Sequence, residues 1–305
     1  MRLGIDLGGT KIEVIALDNN GKELYRERQA TPQHNYTDTI NTITNLINNA
    51  QTHTKQIGSV GIGIPGAISP ATGLVKNANS IWLIGKPLKK DLENLLKCPV
   101  RIENDANCFV VSEATDGAAQ NANSVFGVII GTGTGGGITI NKNVLTGNNA
   151  IAGEWGHNSL PWQDALDIKK IAKQEKCYCG KADCIETFLS GPAFERDYQD
   201  LTQSSNLISA NEIVNKANNG DSSAIQCLEQ YERRLAKALA HVINIIDPNV
   251  IVLGGGMSNI SRLYENVPRY WGEYIFSDQV STQLVPPVHG DSSGVRGAAW
   301  LWPIT

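Results

Sequence analysis

The chain holds 305 residues, with 41% hydrophobic and 18% charged side chains, 30 glycines, 6 cysteines and a formal net charge of −4. That length and apolar content fill about two domain cores and exclude both a disordered chain and a small disulfide-stapled scaffold. The carboxylate excess, 30 Asp and Glu against 26 Lys and Arg, argues against a nucleic-acid partner, and no apolar run approaches the ~18 residues of a membrane span.

The N-terminus, Met1-Arg2-Leu3-Gly4-Ile5-Asp6, has a carboxylate where a signal peptide is apolar, which points to a cytoplasmic protein. Leu3, Ile5 and Leu7 alternate, Gly8-Gly9-Thr10-Lys11 turns, and Ile12, Val14 and Ala16 alternate again, so two strands are joined by a glycine turn. Glu23 to Gln29 returns as a third antiparallel strand. A helix fits Tyr36 to Thr52, with Ile40, Ile43, Leu46 and Ile47 on one face. Val60 to Gly66 reads as a buried strand ending in a turn, and a helix follows Pro87. Val100 to Glu103 forms a short strand that delivers Asn104-Asp105-Ala106-Asn107 to its C-terminal end, and a helix fits Cys108 to Ala119.

The polar connection Gln120-Asn121-Ala122-Asn123 marks a boundary. It gives an N-terminal α/β domain over 1–119 and a C-terminal α/β domain over 120–291, with a final helix over about 292–303 packing back on the first. The second part repeats the opening: Val125 to Ile130 is apolar, Gly131 to Gly137 is a glycine turn, and Ile138-Thr139-Ile140 resumes a strand. An internal duplication of one α/β unit follows. A helix from Tyr231 to about Ile246 and a strand from Val250 to Leu253 lead into Gly254-Gly255-Gly256.

At the usual ~7% a chain of this length holds about 21 glycines, so roughly nine are in excess. Gly8-Gly9, the five glycines from Gly131 to Gly137, and Gly254 to Gly256 contain ten of the thirty. Glycine at a strand end lets backbone N–H groups approach a phosphate chain, although a single such loop is also an ordinary hairpin turn. Gly131-x-Gly133-x-x-Gly136 and Gly61-x-Gly63-x-x-Gly66 match a dinucleotide pattern, but neither opens a helix, so the pyrophosphate site is missing from both. Gly4 to Lys11 has P-loop spacing but continues into a strand. A strand-turn-strand phosphate clamp made twice, with Asp6 on the first strand placed to hold Mg²⁺, is the arrangement of actin-like and hexokinase-like ATPases. The alternative for Asp6 is a solvated hairpin carboxylate.

At this point the chain resembles the sugar kinases of the ROK family, and within them the bacterial fructokinases. The matching elements are Asp6-x-Gly8-Gly9-Thr10-Lys11, Gly63-Ile64-Pro65-Gly66, Asn104-Asp105-Ala106-Asn107, Gly131-Thr132-Gly133-Thr134-Gly135-Gly136-Gly137, Glu154-Trp155-Gly156-His157, the segment Cys177 to Glu186, Gly254-Gly255-Gly256 and Gly290-Asp291-Ser292-Ser293-Gly294. They run from end to end in order. The resemblance implies a two-domain ribonuclease H-like fold, the actin/hexokinase-like ATPase duplication, with the active-site cleft between domains.

Transfer of a γ-phosphoryl group to a sugar hydroxyl needs a base within hydrogen-bond reach of that hydroxyl. Asp105, following a strand and preceding a helix, suits that role, with a helix N-cap as the alternative. The resemblance makes Asp105 the base and implies sugar contacts from Gly66, Asn79, Asn104, Glu154, His157 and Glu186. It also implies nucleotide and Mg²⁺ contacts from Asp6, from Gly8, Gly9, Thr10 and Lys11, from the residues of the Gly131 to Gly137 loop, and from Gly254, Gly255 and Gly256.

Cys177-x-Cys179-x4-Cys184 presents three thiols in a short loop, and His157 supplies a fourth ligand for a closed, structural zinc site. The resembling family has Gly where this chain has Asp183, and Asp tolerates left-handed backbone well enough to keep the turn. Cys98, Cys108 and Cys227 read as ordinary apolar side chains. The expectation is therefore an ATP- and Mg²⁺-dependent hexose kinase that is a homodimer, with D-fructose favoured through Asn79-Ser80-x-Trp82, and mannose as a further substrate. Glucose or an N-acylated hexosamine is the alternative substrate. A sugar-sensing transcription regulator is the alternative class, disfavoured because the first strand begins at residue 2 and no basic surplus grips DNA.

Overall fold

The computed structural model describes residues 1–173 and 176–303. Contacts divide the chain into two compact units, one made of Met1–Gly127, Gly137–Ala152 and the segment from Pro287 onward, the other of Val128–Gly136 and Gly153–Pro286. Among the described residues no helix is long and apolar enough to cross a membrane.

The first unit opens with β1 (Arg2–Leu7), β2 (Lys11–Leu17) and β3 (Glu23–Ala30), an antiparallel meander set by the alternation read in the sequence. Helix α1 (Tyr36–Thr54) is capped by Asn35, whose side chain accepts the Asp38 N–H. Strand β4 (Ser59–Ile64) lies parallel to β1, and a short hairpin of β5 (Ala67–Ile68) and β6 (Val75–Lys76) follows. After α2 (Leu88–Leu96), β7 (Val100–Asn104) pairs parallel with β4, so the sheet order is β3-β2-β1-β4-β7. Helix α3 (Asp105–Thr115) leaves directly from β7.

The two faces of this sheet are built differently. Leu3, Ile5, Leu7 and Ile62 point to one side and form a core with Ile43, Leu46 and Ile47 of α1 and Leu88 and Leu92 of α2. The alternate positions of β1 and β4 carry Gly4, Gly61 and Gly63, and there the last helix, Ser293–Trp300, lies with its backbone on the strands. A Cβ on Gly4 would stand 2.1 Å from the Val295 carbonyl oxygen, and one on Gly61 1.9 Å from that of Ala298. A Cβ on Gly63 would stand 3.1 Å from Cys108 Sγ, so Gly61 and Gly63 both face close packing, which agrees with the rejection of a dinucleotide fingerprint.

The chain continues through β8 (Ser124–Ile130), β9 (Thr134–Ile140) and β10 (Asn143–Val144). Then come α4 (Ala165–Ala172), α5 (Glu186–Leu189), α6 (Gly191–Thr202), α7 (Ala210–Asn218) and α8 (Ser222–Ile246). Strand β11 (Val250–Gly254), α9 (Leu263–Trp271), β12 (Gln283–Val285) and α10, the helix Ser293–Trp300 already met, complete it. The second sheet has order β10-β9-β8-β11-β12, the same succession of a meander and two later strands as the first, and β11 and β12 are parallel.

Besides α3, which spans Asp105–Thr115 where Cys108 to Ala119 was expected, two boundaries and one helix differ from the sequence reading for identifiable reasons. The glycine turn is shorter than Gly131 to Gly137, because β9 already begins at Thr134. Glycine is needed within that strand, since a Cβ on Gly137 would come 2.7 Å from the Ala106 carbonyl oxygen of α3. Helix α8 starts nine residues before Tyr231, where Asp221 caps it by accepting the Ala224 N–H. Helix α4 went unread because its inner face is charged: Asp167 is 0% and Lys170 8% exposed, while Leu166 and Ile168 are 52% and 58% exposed.

That inner face is fastened by ions. Arg234 of α8 donates to Asp167 and Asp197 at 2.6 Å each, Lys237 to Asp164 and Asp167 at 3.0 Å each, and Lys170 to Asp197 at 2.5 Å. Each buried charge has at least one opposite partner, which is the condition for carrying charge into an interior.

Candidate functional site

In the first unit the register of four strands sets a row of carboxylates across one face of the sheet. Asp6 of β1 stands opposite Glu13 of β2 and beside Gly63 of β4, and Gly63 in turn pairs with Glu103 of β7. One residue after β7, Asp105 begins α3. The helix cap is Asn104, whose Oδ1 accepts the Asn107 N–H at 2.7 Å, so the alternative of Asp105 as the cap falls away. Asp105 accepts the N–H of its neighbour Ala106 at 2.8 Å.

The Asp6 carboxyl is pushed up to about 6, first by burial and then by the negative charges of Asp105 and Glu13, against the opposing pull of Lys11 and Arg28. Glu13, almost wholly buried, is itself held by Arg26 at 2.5 Å and Arg28 at 2.8 Å. Gly294 of α10 lies over the Asp6 carboxylate, where an added Cβ would stand 3.5 Å from Oδ2. A site that penalises its own carboxylate charge in this way has the electrostatics of a cation site, and Asp6 is the residue able to hold Mg²⁺.

Glu103 steadies the segment that carries Asp105. Its two carboxylate oxygens accept from the Thr146 hydroxyl at 2.7 Å and from Asn107 Nδ2 at 2.9 Å. The sequence reading missed Glu13 and Glu103. The signal for Glu13 was present, a carboxylate in the middle of the apolar strand Lys11 to Leu17. Gly66 adopts a φ of 116°, and a Cβ there would meet the Lys76 carbonyl oxygen at 2.6 Å, so only glycine fits where the chain enters β5 beside the end of β6. Asn79 is exposed beside buried Ser80. The Gly8 to Lys11 turn closes through the Gly8 N–H donating to the Lys11 carbonyl at 2.9 Å, and the Thr31 hydroxyl and Gln33 side chain bond the carbonyls of Gly8 and Gly9.

In the second unit the glycine turn after β8 is fastened on several sides. The Gly131 N–H donates to the Gly133 carbonyl at 2.9 Å, and the Gly191 N–H to the Gly131 carbonyl at 2.8 Å. The Thr134 N–H donates to Glu186 Oε2 at 2.9 Å, and Trp155 Nε1 to the Gly135 carbonyl at 2.9 Å. Thr132 at the tip is exposed. Gly254 ends β11, and Gly255, with φ of 80°, backs onto β8 so closely that a Cβ would stand 2.4 Å from the Ile130 carbonyl oxygen. Gly256 opens a 3₁₀ turn. Two of the three expected glycine loops are thus neighbours.

His157, Cys177, Cys179 and Cys184 bring one ligand atom each to within 4.8 Å of one another. Cys177 Sγ lies 3.5 Å from His157 Nδ1, and Cys179 Sγ 3.4 Å from Cys184 Sγ. A tetrahedral zinc with metal–sulfur and metal–nitrogen bonds of about 2.3 and 2.0 Å sets neighbouring donors about 3.5 to 3.8 Å apart, so the cluster fits the ion. Burial pushes the thiols of Cys177, to about 11, and of Cys184 up, which a bound cation reverses. All six cysteines are free thiols.

The second ring nitrogen of His157, Nε2, meets the Tyr178 hydroxyl at 2.8 Å, an outer partner of the kind that orients a metal-binding imidazole. A sugar contact from His157 would have to exchange that hydroxyl. Glu154 immediately precedes the 3₁₀ turn Trp155–His157, and its charge acts on Tyr178, the hydroxyl partner of His157. Glu186 sits against the cluster, with Cys177 Sγ donating to its Oε1 at 3.4 Å. Asp183 is absent from the residues of positive φ; the left-handed turn of this loop falls on Gly180, at 91°. The departure at position 183 therefore costs the loop no left-handed residue.

Comparison with known proteins gives a consistent answer. The sequence model described as the ROK family matches residues 2–304. An N-acetyl-D-glucosamine kinase of Yersinia enterocolitica is 39% identical over 302 residues, covering 99% of each chain. The crystal structure of a ROK hexokinase from Thermus thermophilus superposes with a TM-score of 0.86 at 28% identity, over 98% of this chain and 97% of that one. A ROK family glucokinase from Streptomyces griseus, in complex with glucose and AMPPNP, superposes with a TM-score of 0.76 at 27% identity, over 98% and 97%. The duplicated α/β arrangement is thus the actin/hexokinase-like ATPase fold.

Proposed function

The chain belongs to the ROK family and is a sugar kinase, and we propose that it transfers the γ-phosphoryl group of ATP to a hydroxyl of N-acetyl-D-glucosamine. The observation that carries the choice of sugar is similarity along 99% of both chains to a kinase of that substrate. The expectation of fructose rests on resemblance to bacterial fructokinases, particularly through Asn79-Ser80-x-Trp82 and the segment after it, where Asn79 is exposed and Trp82 packs against His34. The acetamido sugar therefore takes precedence over fructose and mannose.

In this reading Asp105 accepts the proton of the attacking hydroxyl as the new phosphate ester bond forms and ADP departs. Asn104 and Glu103 fix the turn that carries it. Asp6 holds Mg²⁺, directly or through water, and the ion when bound neutralises charge on the transferring phosphoryl group. The Gly8 to Lys11 turn and the paired Gly131 and Gly255 loops offer backbone N–H groups to the phosphates. Gly66, Asn79, Asn104, Glu154, His157 and Glu186 are the sugar-contacting set, and His157, Cys177, Cys179 and Cys184 form a closed zinc site that supports structure. The reducing cytoplasm keeps those thiols available. A homodimer is the assembly proposed, checked by sedimentation.

The deciding measurement is kcat/KM with ATP for N-acetyl-D-glucosamine, N-acetyl-D-mannosamine, glucose, mannose and fructose. N-acetyl-D-glucosamine is expected to lead by at least about tenfold, roughly one well-placed polar contact. A lead for fructose refutes the assignment of sugar and leaves the kinase class standing.

A further inference from the structure

The metal cluster and the phosphate turn lie on separate stretches of chain, yet one side chain touches both. Glu186 accepts the Thr134 N–H through Oε2 at 2.9 Å, and its Oε1 lies 3.4 Å from Cys177 Sγ, a contact the thiol makes as donor and gives up when it binds zinc as thiolate, which leaves the chain link through Cys184. We infer that Glu186 is a positioning residue through which the metal loop sets the shape, and so the nucleotide affinity, of the Gly131 to Thr134 turn.

The connection is short and stiff. Cys184, a ligand of the cluster, is two residues before Glu186, and its carbonyl accepts both the N–H of Thr187, at 2.8 Å, and its hydroxyl, at 2.7 Å. Helix α5 then spans the turn, bonded at its start by Glu186 to Thr134 and just past its end by the Gly191 N–H to the Gly131 carbonyl. Gly133 leaves room for the contact, because a Cβ there would stand 2.6 Å from Glu186 Oε2.

A second path runs through His157. Its neighbour Gly156 packs on Thr134 so closely that a Cβ would lie 2.0 Å from the Thr134 carbonyl oxygen, and Trp155 bonds Gly135. Fixing His157, Cys177 and Cys184 around one ion thus fixes the turn from two sides. Releasing them loosens the turn, and N–H groups held at one geometry bind a phosphate better than groups that must first be ordered.

The inference rests on the reading above that the turn takes phosphate and the cluster takes zinc. It is tested on the whole protein, zinc-loaded and chelator-stripped, and on Glu186→Ala and Glu186→Gln. The readouts are backbone hydrogen exchange of the peptide over 131–137 and the dissociation constant for ADP with Mg²⁺, measured without sugar. Stripping, or Glu186→Ala, is expected to speed exchange in that peptide and weaken ADP about 5- to 10-fold, the scale of one hydrogen bond to a charged group. Glu186→Gln, whose amide oxygen still accepts from Thr134, keeps both values near those of the loaded wild type, which separates positioning from the loss of a charge.

Unchanged exchange or unchanged ADP affinity after stripping overturns the inference, as does protein from which a chelator removes no metal. Failure of the kinase reading is distinct: the loaded wild type would then phosphorylate no hexose, whatever its affinity for ADP.

Discussion

Asp6→Asn is expected to make the metal-free protein more stable while removing its activity. The native environment raises the Asp6 carboxyl from 3.8 to about 6, chiefly by burial and the nearby Asp105. At 1.36 kcal/mol per pH unit this penalises the ionised side chain by about 3 kcal/mol, an upper figure because Asp6 keeps some contact with solvent. The folded state binds this proton more tightly than the unfolded chain does. The stability the group contributes is therefore fully present below about pH 4 and lost as pH rises through about 6. Asparagine has the same shape and no charge to penalise, so at pH 8 in a chelator the variant should melt higher by a few degrees, on the scale of about 2 °C per kcal/mol for a chain of this size. At pH 5 the difference should fall to about half, and near pH 4 it should largely close. Added Mg²⁺ and ATP should raise the melting temperature of the wild type more than that of the variant, whose turnover falls by at least about 100-fold with the loss of the cation's partner. Paired thermal melts at these pH values measure this. A variant less stable than wild type at pH 8, or a gap that ignores pH, refutes the reasoning.

Two further substitutions probe the base and the ion network. Asp105→Asn keeps the helix start, which Asn104 caps, and is expected to lower kcat by about 10² to 10⁴ while sugar affinity stays within about threefold; near-normal turnover removes Asp105 as the base. Asp167→Ala leaves Arg234 and Lys237 buried with one acidic partner fewer each and should cost about 3 kcal/mol or more in urea unfolding, with turnover of the folded enzyme retained; a cost below about 1 kcal/mol contradicts a buried network that depends on pairing.

Legibility in the sequence followed the physics of each element. The β1 to β3 meander and α1 were readable because apolar side chains alternate or recur with the element's own period, a pattern that the single buried Glu13 of β2 does not mask. Helix α4 was not, because its inward side chains are Asp167 and Lys170, so a hydrophobic pattern points to the wrong face. Asp6 and Asp105 were legible as carboxylates at strand ends, and their mutual charge effect emerged only from the register that sets Asp6 beside Gly63 and Gly63 beside Glu103. The four zinc-type ligands were readable from three close cysteines and one histidine. The contact from Glu186 to Thr134 was not, since a carboxylate and a main-chain N–H 52 residues apart leave no compositional trace.

The glycine surplus has a wider meaning than phosphate binding. Gly4 and Gly61 admit the backbone of α10 onto β1 and β4, and Gly297 of α10 admits that of α3, where a Cβ would stand 1.6 Å from the Cys108 carbonyl oxygen. No other residue allows the three elements to approach so closely. Their approach lowers Gly294 onto the Asp6 carboxylate and brings the start of α3, with Asp105, alongside the same strand edge. Burial is the first cause of the raised Asp6 carboxyl and Asp105 the second. Glycines with no contact to nucleotide therefore act on the chemistry as well, because side chains at this seam would part the helices, let water reach Asp6 and dissipate the field that favours a cation there.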